Sequence, residues 1–332
     1  MKKTMLRLLP LAVFAAVFMA GCKKNVGTPE DNPVIEEPTE EELEQEEKTD
    51  NLFGFTCPDL TDPFYDTLKE AIRTDLEEQG GRILVKDAAR DADTQEEQIR
   101  EMIEEGIDGV FLCPVDPEKI TPSLEMLREA EIPVINLETE VENTDLIDAF
   151  IGSDNYNAGR VCGEDLLEQR PDGGRIVIVE RSDSTPLNER ITGFEEAITN
   201  KGFEVVKRIT ADEQCENVKA KMQILLSEGE EFDAVMCGSD RMAVKVLEAL
   251  NGASCNPLVY SVDGSPEIKQ ALADPFSPME GVGARSPINM GKTAVKAALA
   301  LLDGGVYEKE SYIETFFINK DNVEMYGTDG WQ

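Results

Sequence analysis

Histidine does not occur anywhere in the 332 residues. Its absence excludes Ser-His-Asp and Cys-His nucleophile systems and the HExxH zinc proteases, and it removes the commonest general base. Asp and Glu are abundant enough for carboxylate-pair chemistry, but no constellation of them stands out. A nucleophile elbow of GxSxG type and metal-binding motifs are missing as well. An enzyme is therefore not expected, and neither a metal nor a cofactor is expected.

Positive charge is also scarce. The chain has 32 Lys and Arg against 68 Asp and Glu, a formal charge of −36, and no basic patch follows Lys24. Phosphate contacts need concentrated Lys and Arg, so nucleic acid is not the expected partner. The seven cysteines form no CxxC pair. Cys57, Cys113 and Cys237 close expected strands, where a small apolar residue packs well, and buried free thiols are expected rather than a disulfide framework. The one tryptophan, Trp331, lies in a polar stretch and reads as a surface packing residue.

What is present begins with a targeting segment over residues 1–22. Lys2, Lys3 and Arg7 precede an apolar run, Leu8 to Met19, that is too short to span a bilayer as a mature helix. Met19-Ala20-Gly21-Cys22 follows and resembles the bacterial lipobox, with Met19 in place of the usual Leu. That resemblance implies an acylated Cys22, and two or more acyl chains suffice for stable anchoring. Residues 23–51 hold eleven acids, three lysines and three prolines, with few apolar side chains. Such a segment cannot build a core and reads as an extended, self-repelling tether. The remainder still has 57 acids against 26 bases.

From Leu52 the pattern turns regular, and the chain is organised around the unit Asp108–Thr139. Val110, Phe111 and Leu112 form a short apolar run typical of a strand covered on both faces. Thr121 is expected to cap a helix with Pro122 in its first turn, buried through Leu124, Leu127 and Ala130. Pro133–Leu137 returns as a parallel strand, which leaves Cys113 and Glu138 at the carboxyl edge where open parallel sheets bind ligands. Before this unit, strands are expected at Leu52–Phe55 and Arg82–Val85, with helices over 62–76 and 94–105. A further strand is expected at Ile147–Ile151. The rhythm restarts after Gly152, and Asp233–Cys237 echoes Asp108–Cys113. A helix from Ser286 to Leu302 and a strand over Tyr312–Phe317 complete the chain. The length suits two domains, and the alternation predicts α/β architecture with parallel sheets covered on both faces.

Seven segments in order resemble the type I sugar-binding proteins of bacterial ABC importers, the ribose- and galactose-binding group. They are DPFYDTLKEAI (62–72), DGVFLCPVD (108–116), IPVINLET (132–139), IGSDNYNAGR (151–160), ERITGFEEAI (189–198), DAVMCGSDRMAVKVLEAL (233–250) and VYSVDGSPE (259–267). The resemblance implies two doubly wound parallel-sheet lobes joined by a three-segment hinge, closing on ligand by hinge motion. The first lobe would take 52–152 plus 286–313, and the second 153–285 plus 314–332. By position, the resemblance marks Asp62, Phe64, Tyr65, Glu138, Arg190, Glu213, Ser239, Asp263 and Arg285 as ligand-binding residues. Thr139 stands where ribose-type sites carry an Arg, and Glu213 stands where a stacking aromatic is common. Four carboxylates against two arginines would make a net-negative pocket, which disfavours sugar phosphates and sugar acids unless the acids pair with those arginines. A neutral monosaccharide or polyol is expected, with an amino sugar or other cationic ligand as the alternative.

The function so implied is an extracytoplasmic, lipid-anchored solute receptor, monomeric, that captures a sugar and hands it to an ABC permease. A sugar-sensing co-receptor for a histidine kinase or chemoreceptor would share the same fold. A transcription regulator would begin with a basic helix-turn-helix, and this sequence begins with the lipobox segment instead.

Overall fold

The computed structural model describes residues 51–332. The expected targeting segment, Cys22 and all but the last residue of the acidic tether lie outside the described residues.

The first sheet has the order β11-β5-β4-β3-β1-β2. Its strands are β1 (Leu52–Cys57), β2 (Arg82–Asp87), β3 (Gly109–Leu112), β4 (Val134–Leu137), β5 (Ala149–Ser153) and β11 (Glu310–Ile313). The second sheet has the order β12-β10-β9-β8-β6-β7. It is built from β6 (Gly174–Glu180), β7 (Phe203–Thr210), β8 (Ala234–Cys237), β9 (Leu258–Asp263), β10 (Met279–Ala284) and β12 (Phe316–Asn319). The two orders are the same pattern repeated, so the echo between 108–113 and 233–237 falls on topologically equivalent strands, β3 and β8. The edges differ: β11 is parallel to β5, whereas β12 is antiparallel to β10.

Helices α1 (Pro63–Glu78), α2 (Ala92–Glu104), α3 (Thr121–Glu129) and α9 (Pro287–Leu302) serve the first lobe. Helices α4 (Asn155–Gln169), α5 (Thr185–Ile198), α6 (Glu216–Ser227), α7 (Asp240–Leu250), α8 (Pro266–Ala273) and α10 (Val323–Tyr326) serve the second. Strand side chains alternate between two cores. Phe53, Phe55 and Phe111 pack with Leu68, Ile72 and Leu76 of α1, while Val110 and Leu112 pack with Ile99 and Leu124 on the opposite face. Burial on both faces is why these strands read as unbroken apolar runs.

The chain passes between the sheets three times, after β5, β10 and β11. The first and third passages are tied together by Asn157 Nδ2 donating to Thr315 Oγ1 at 2.9 Å and by the Thr315 hydroxyl donating to the Asp154 carbonyl at 3.3 Å.

Three local expectations need correction. Helix α3 begins at Thr121 itself, and the preceding Ile120 offers no side-chain cap. The Thr121 hydroxyl instead donates to the Glu118 carbonyl at 2.9 Å. Ala130 ends the helix on an exposed face, so the buried stripe is Ser123, Leu124 and Leu127. The segment Tyr312–Phe317 is not one strand but the third passage, which leaves the first sheet after Ile313 and enters the second at Phe316. The six cysteines among the described residues are free, and five of them are buried.

Candidate ligand-binding cleft

The carboxyl ends of both sheets face a cavity of about 210 Å³ whose walls include all nine residues marked in the sequence. That volume is below the roughly 300–1,000 Å³ of pockets for drug-sized ligands.

From the first lobe, Asp62 caps α1 by accepting from the Phe64 N–H at 3.0 Å, with Pro63 following where no donor is needed. Its other oxygen accepts from Arg241 Nη1 of the second lobe at 3.1 Å. Burial pushes the Asp62 carboxyl up, and Arg241 works against that shift. Phe64 belongs both to the α1 core stripe and to the cavity wall, with the Arg285 guanidinium 4.1 Å above its ring. Tyr65 lies half-buried beside it, and burial raises its phenol so that it stays a neutral hydroxyl. Glu138 follows β4 with φ 67°. A non-glycine residue in that region is strained, and such strain clusters at functional sites.

From the second lobe, Arg190 enters from α5 and is almost wholly buried. Its approach depends on backbone contact between α4 and α5. A Cβ on Gly159 would fall 1.7 Å from the Arg190 carbonyl oxygen, and one on Gly193 would fall 2.1 Å from the Tyr156 oxygen. With the helices that close, Arg190 Nε donates to Asn155 Oδ1 at 2.8 Å and Nη1 donates to the Gly238 carbonyl at 3.0 Å and to Asp263 Oδ1 at 3.1 Å. Asp263 ends β9 with φ 140°, a second strained acid at the place equivalent to Glu138.

Arg285, directly after β10, joins these acids. Its Nε and Nη2 donate to Asp263 Oδ1 at 3.0 and 2.7 Å, and its Nη1 donates to Glu138 Oε1 at 2.5 Å. Burial works against its charge, but Glu138 and Asp263 hold its pKa above the ordinary arginine value. Arg190 is lowered instead, first by burial and then by the neighbouring Arg285. Glu138 Oε2 is buried without a hydrogen-bond partner among the described residues. An unmatched buried acceptor is costly.

Ser239 lines the cavity at the start of α7 without capping it. Glu213 stands exposed at the rim, and what crosses the cleft there is its carbonyl, which accepts from Arg90 Nη1 at 3.0 Å.

Several wall residues were not marked in the sequence. Arg90, at φ 64°, brackets Asp59 Oδ2 with Nε and Nη2 at 2.9 and 2.5 Å before reaching Glu213. Arg241 crosses to Asp62, and Arg181 holds Asp183 at 2.7 Å. Five arginines thus face six acids on the walls, and the expected net-negative pocket is corrected to a nearly balanced one. Only Glu213 among those six lacks an arginine partner among the described residues. Behind the wall, Asp240 accepts from Ser261 Oγ and from the Gly264 and Ser265 N–H groups, and its own N–H reaches Asp263 Oδ2 at 3.2 Å. Burial and the nearby Asp263 push the Asp240 carboxyl up to about 7. The periodicity of α7 marks apolar positions only, so nothing in the sequence singled out Asp240 or Arg241.

A family model described as a periplasmic binding protein domain matches residues 53–305. The ribose import binding protein of Bacillus subtilis is 25% identical over 263 residues, covering 79% of this chain and 85% of that protein. The D-ribose/D-allose-binding protein of Pseudomonas aeruginosa is 25% identical over 273 residues, covering 77% and 84%. Among solved structures, an ABC transporter solute binding protein of Mycobacterium smegmatis with bound glycerol superposes with a TM-score of 0.79 at 25% identity, covering 85% of this chain and 99% of that one. One of Bacillus halodurans with bound myo-inositol gives 0.77 at 23% identity, covering 85% and 98%.

Proposed function

Since the chain belongs to the periplasmic binding protein domain family, whose members are solute-binding proteins rather than enzymes, we propose that its cleft captures a neutral monosaccharide or a polyol of similar size. One observation carries the reading: a small cavity between two lobes whose charges are nearly all paired internally, with one buried acceptor, Glu138 Oε2, left unmatched. A hydroxyl is both donor and acceptor. It can donate to Glu138 Oε2 and accept from Arg190 Nη2, which makes no hydrogen bond among the described residues and lies 3.6 Å from Glu138 Oε1. Sugar acids and sugar phosphates would need arginines that are already committed to carboxylates. The relatives bind ribose and allose, which agrees with this size and polarity.

The nine marked residues serve as the ligand shell in this reading, with Arg90, Arg181 and Arg241 added to the rim. Ligand bridging both lobes favours the closed state, because differential contact is what shifts a two-state equilibrium. The closed receptor, a monomer, delivers its sugar to the permease of an ABC importer. Acylation of Cys22 holds it at the extracytoplasmic face of the membrane, and residues 23–51 supply the reach.

A thermal-shift panel of about fifty mono- and disaccharides, with uronates and sugar phosphates included, tests the ligand class. A neutral monosaccharide or polyol is expected to give the largest stabilisation, and a uronate or sugar phosphate ranking first would sink the assignment. For the anchor, full-length protein expressed in bacteria fed radioactive palmitate should incorporate label, and Cys22→Ser should not.

A further inference from the structure

Beyond α10, residues 327–332 run from the second lobe past the hinge to the first. Gly327, at φ 69°, turns the chain back after Tyr326, whose ring stacks on Phe316 at 5.1 Å. Gln270 Nε2 then donates to the Thr328 carbonyl at 3.3 Å, and the Lys269 ammonium donates to the Gly330 carbonyl. The Ser286 hydroxyl, which also caps α9, donates to the Gln332 carbonyl. The carbonyls of residues 330 and 332 are therefore both held by the second lobe and the hinge. The residue between them, Trp331, packs half-buried against the first lobe's core and meets the Phe64 ring edge-on, with centroids 5.8 Å apart and planes at 80°.

Two features of this segment exceed what packing alone requires. Lys269 is fully buried, and the Gly330 carbonyl is its hydrogen-bond partner. No carboxylate lies within ion-pair distance of it among the described residues. Burial works against the Lys269 charge, while Asp240 behind the cleft and Asp329 of the tail favour it. The Gly330 carbonyl supplies the hydrogen-bond acceptor that a buried ammonium needs. The ring Trp331 touches is also the one on the cavity wall. Phe64 is gripped by Arg285 on one face and by Tyr65 and Trp331 at 5.8 Å, and it belongs both to the core and to the cavity wall.

We propose that Trp331 is a positioning residue of the binding site, delivered across the hinge by the Lys269–Gly330 anchor to fix the orientation of Phe64 against the ligand. This rests on the sugar-receptor reading for its consequence, but not for the anchoring itself. Aromatic pairs prefer defined edge-to-face geometry. Without the indole the Phe64 ring keeps its core and Arg285 contacts but loses its edge-to-face partner, so the part of the cavity wall it forms is held less firmly.

The test titrates D-ribose, D-allose and myo-inositol separately into the wild type, Trp331→Ala, Trp331→Phe, Lys269→Met and the double variant Trp331→Ala/Lys269→Met. For whichever sugar binds the wild type, Trp331→Ala is expected to weaken binding about three- to tenfold, the factor corresponding to a lost aromatic pair. Trp331→Phe should restore most of it. Lys269→Met should weaken binding similarly, and the double variant no further. Wild-type affinity in Trp331→Ala, or additive losses in the double variant, overturns the proposal.

A second arm needs no sugar. Trp331 is the sole tryptophan, so acrylamide quenching of tryptophan emission reads the anchoring directly. It should be shielded in the wild type and several-fold more open in Lys269→Met and in Phe64→Leu. Equal quenching in the wild type and both variants overturns the proposal whatever the sugars do. If none of the three sugars binds, the receptor reading suffers and the quenching arm still judges the tail.

Discussion

Arg285 and Glu138 meet at 2.5 Å across the cleft, one directly after β10 and the other directly after β4. The same guanidinium also holds Asp263, so a single side chain neutralises strained acids from both lobes. Removing one partner of a buried ion pair leaves an uncompensated charge, which costs about 3–5 kcal/mol. Arg285→Met should lose stability of that order in urea unfolding. Adding Glu138→Gln should recover part of the loss, because coupled sites are not additive.

The Asp62–Arg241 pair joins the lobes at a half-exposed position, with side-chain exposures of 23% and 31%. Pairs of this kind contribute roughly 0.2–1 kcal/mol and are screened by salt. Arg241→Ala should weaken sugar binding by no more than about fivefold at low salt, mainly through faster release. The gap to the wild type should close in 1 M NaCl (about a 3 Å screening length). A gap that persists at high salt would show that the guanidinium acts on the ligand itself.

Asp240 gives the fold a pH dependence of definite sign. Its folded pKa is raised from 3.8 to about 7 by burial and by Asp263, so the folded state binds a proton that the unfolded state has already released. Stability from this group is present at low pH and is lost as the pH rises from about 4 to about 7. Melting curves of Asp240→Asn beside the wild type should show the variant gaining relative stability over that interval. A difference independent of pH would contradict the assignment.

Gly159 and Gly193 let α4 and α5 touch backbone to backbone, and Arg190 depends on that contact. Gly159→Ala should cost about 1–3 kcal/mol by overpacking. It should also move the Arg190 guanidinium away from Asn155, lowering sugar affinity more than an equally destabilising substitution in α6 would.

Much of this was legible in the sequence because it rests on local periodicity. Apolar runs such as 110–112 and the four-residue repeat of Phe64, Leu68, Ile72 and Leu76 place strands and helices without knowledge of their neighbours. The resemblance then brought nine positions to one cavity. Arg90 and Arg241 escaped because their partners across the cleft lie 123 and 179 residues away in sequence, and a charge on a loop or helix gives no sign of what will face it. The division of Tyr312–Phe317 was hidden for a related reason. Its residues have one strand-like composition, and only the separation of the two sheets cuts the run at Glu314. Thr121 shows the limit of local reasoning in the other direction: its hydroxyl found a carbonyl three residues back, so it lies in the helix rather than ahead of it.

Arg90 grips residue 213 by its main-chain oxygen and not by its carboxylate. Every amino acid supplies that oxygen, so this clasp is blind to mutation at 213. The rim residue there is left at liberty to drift toward new ligand preferences while the two halves keep the same handshake.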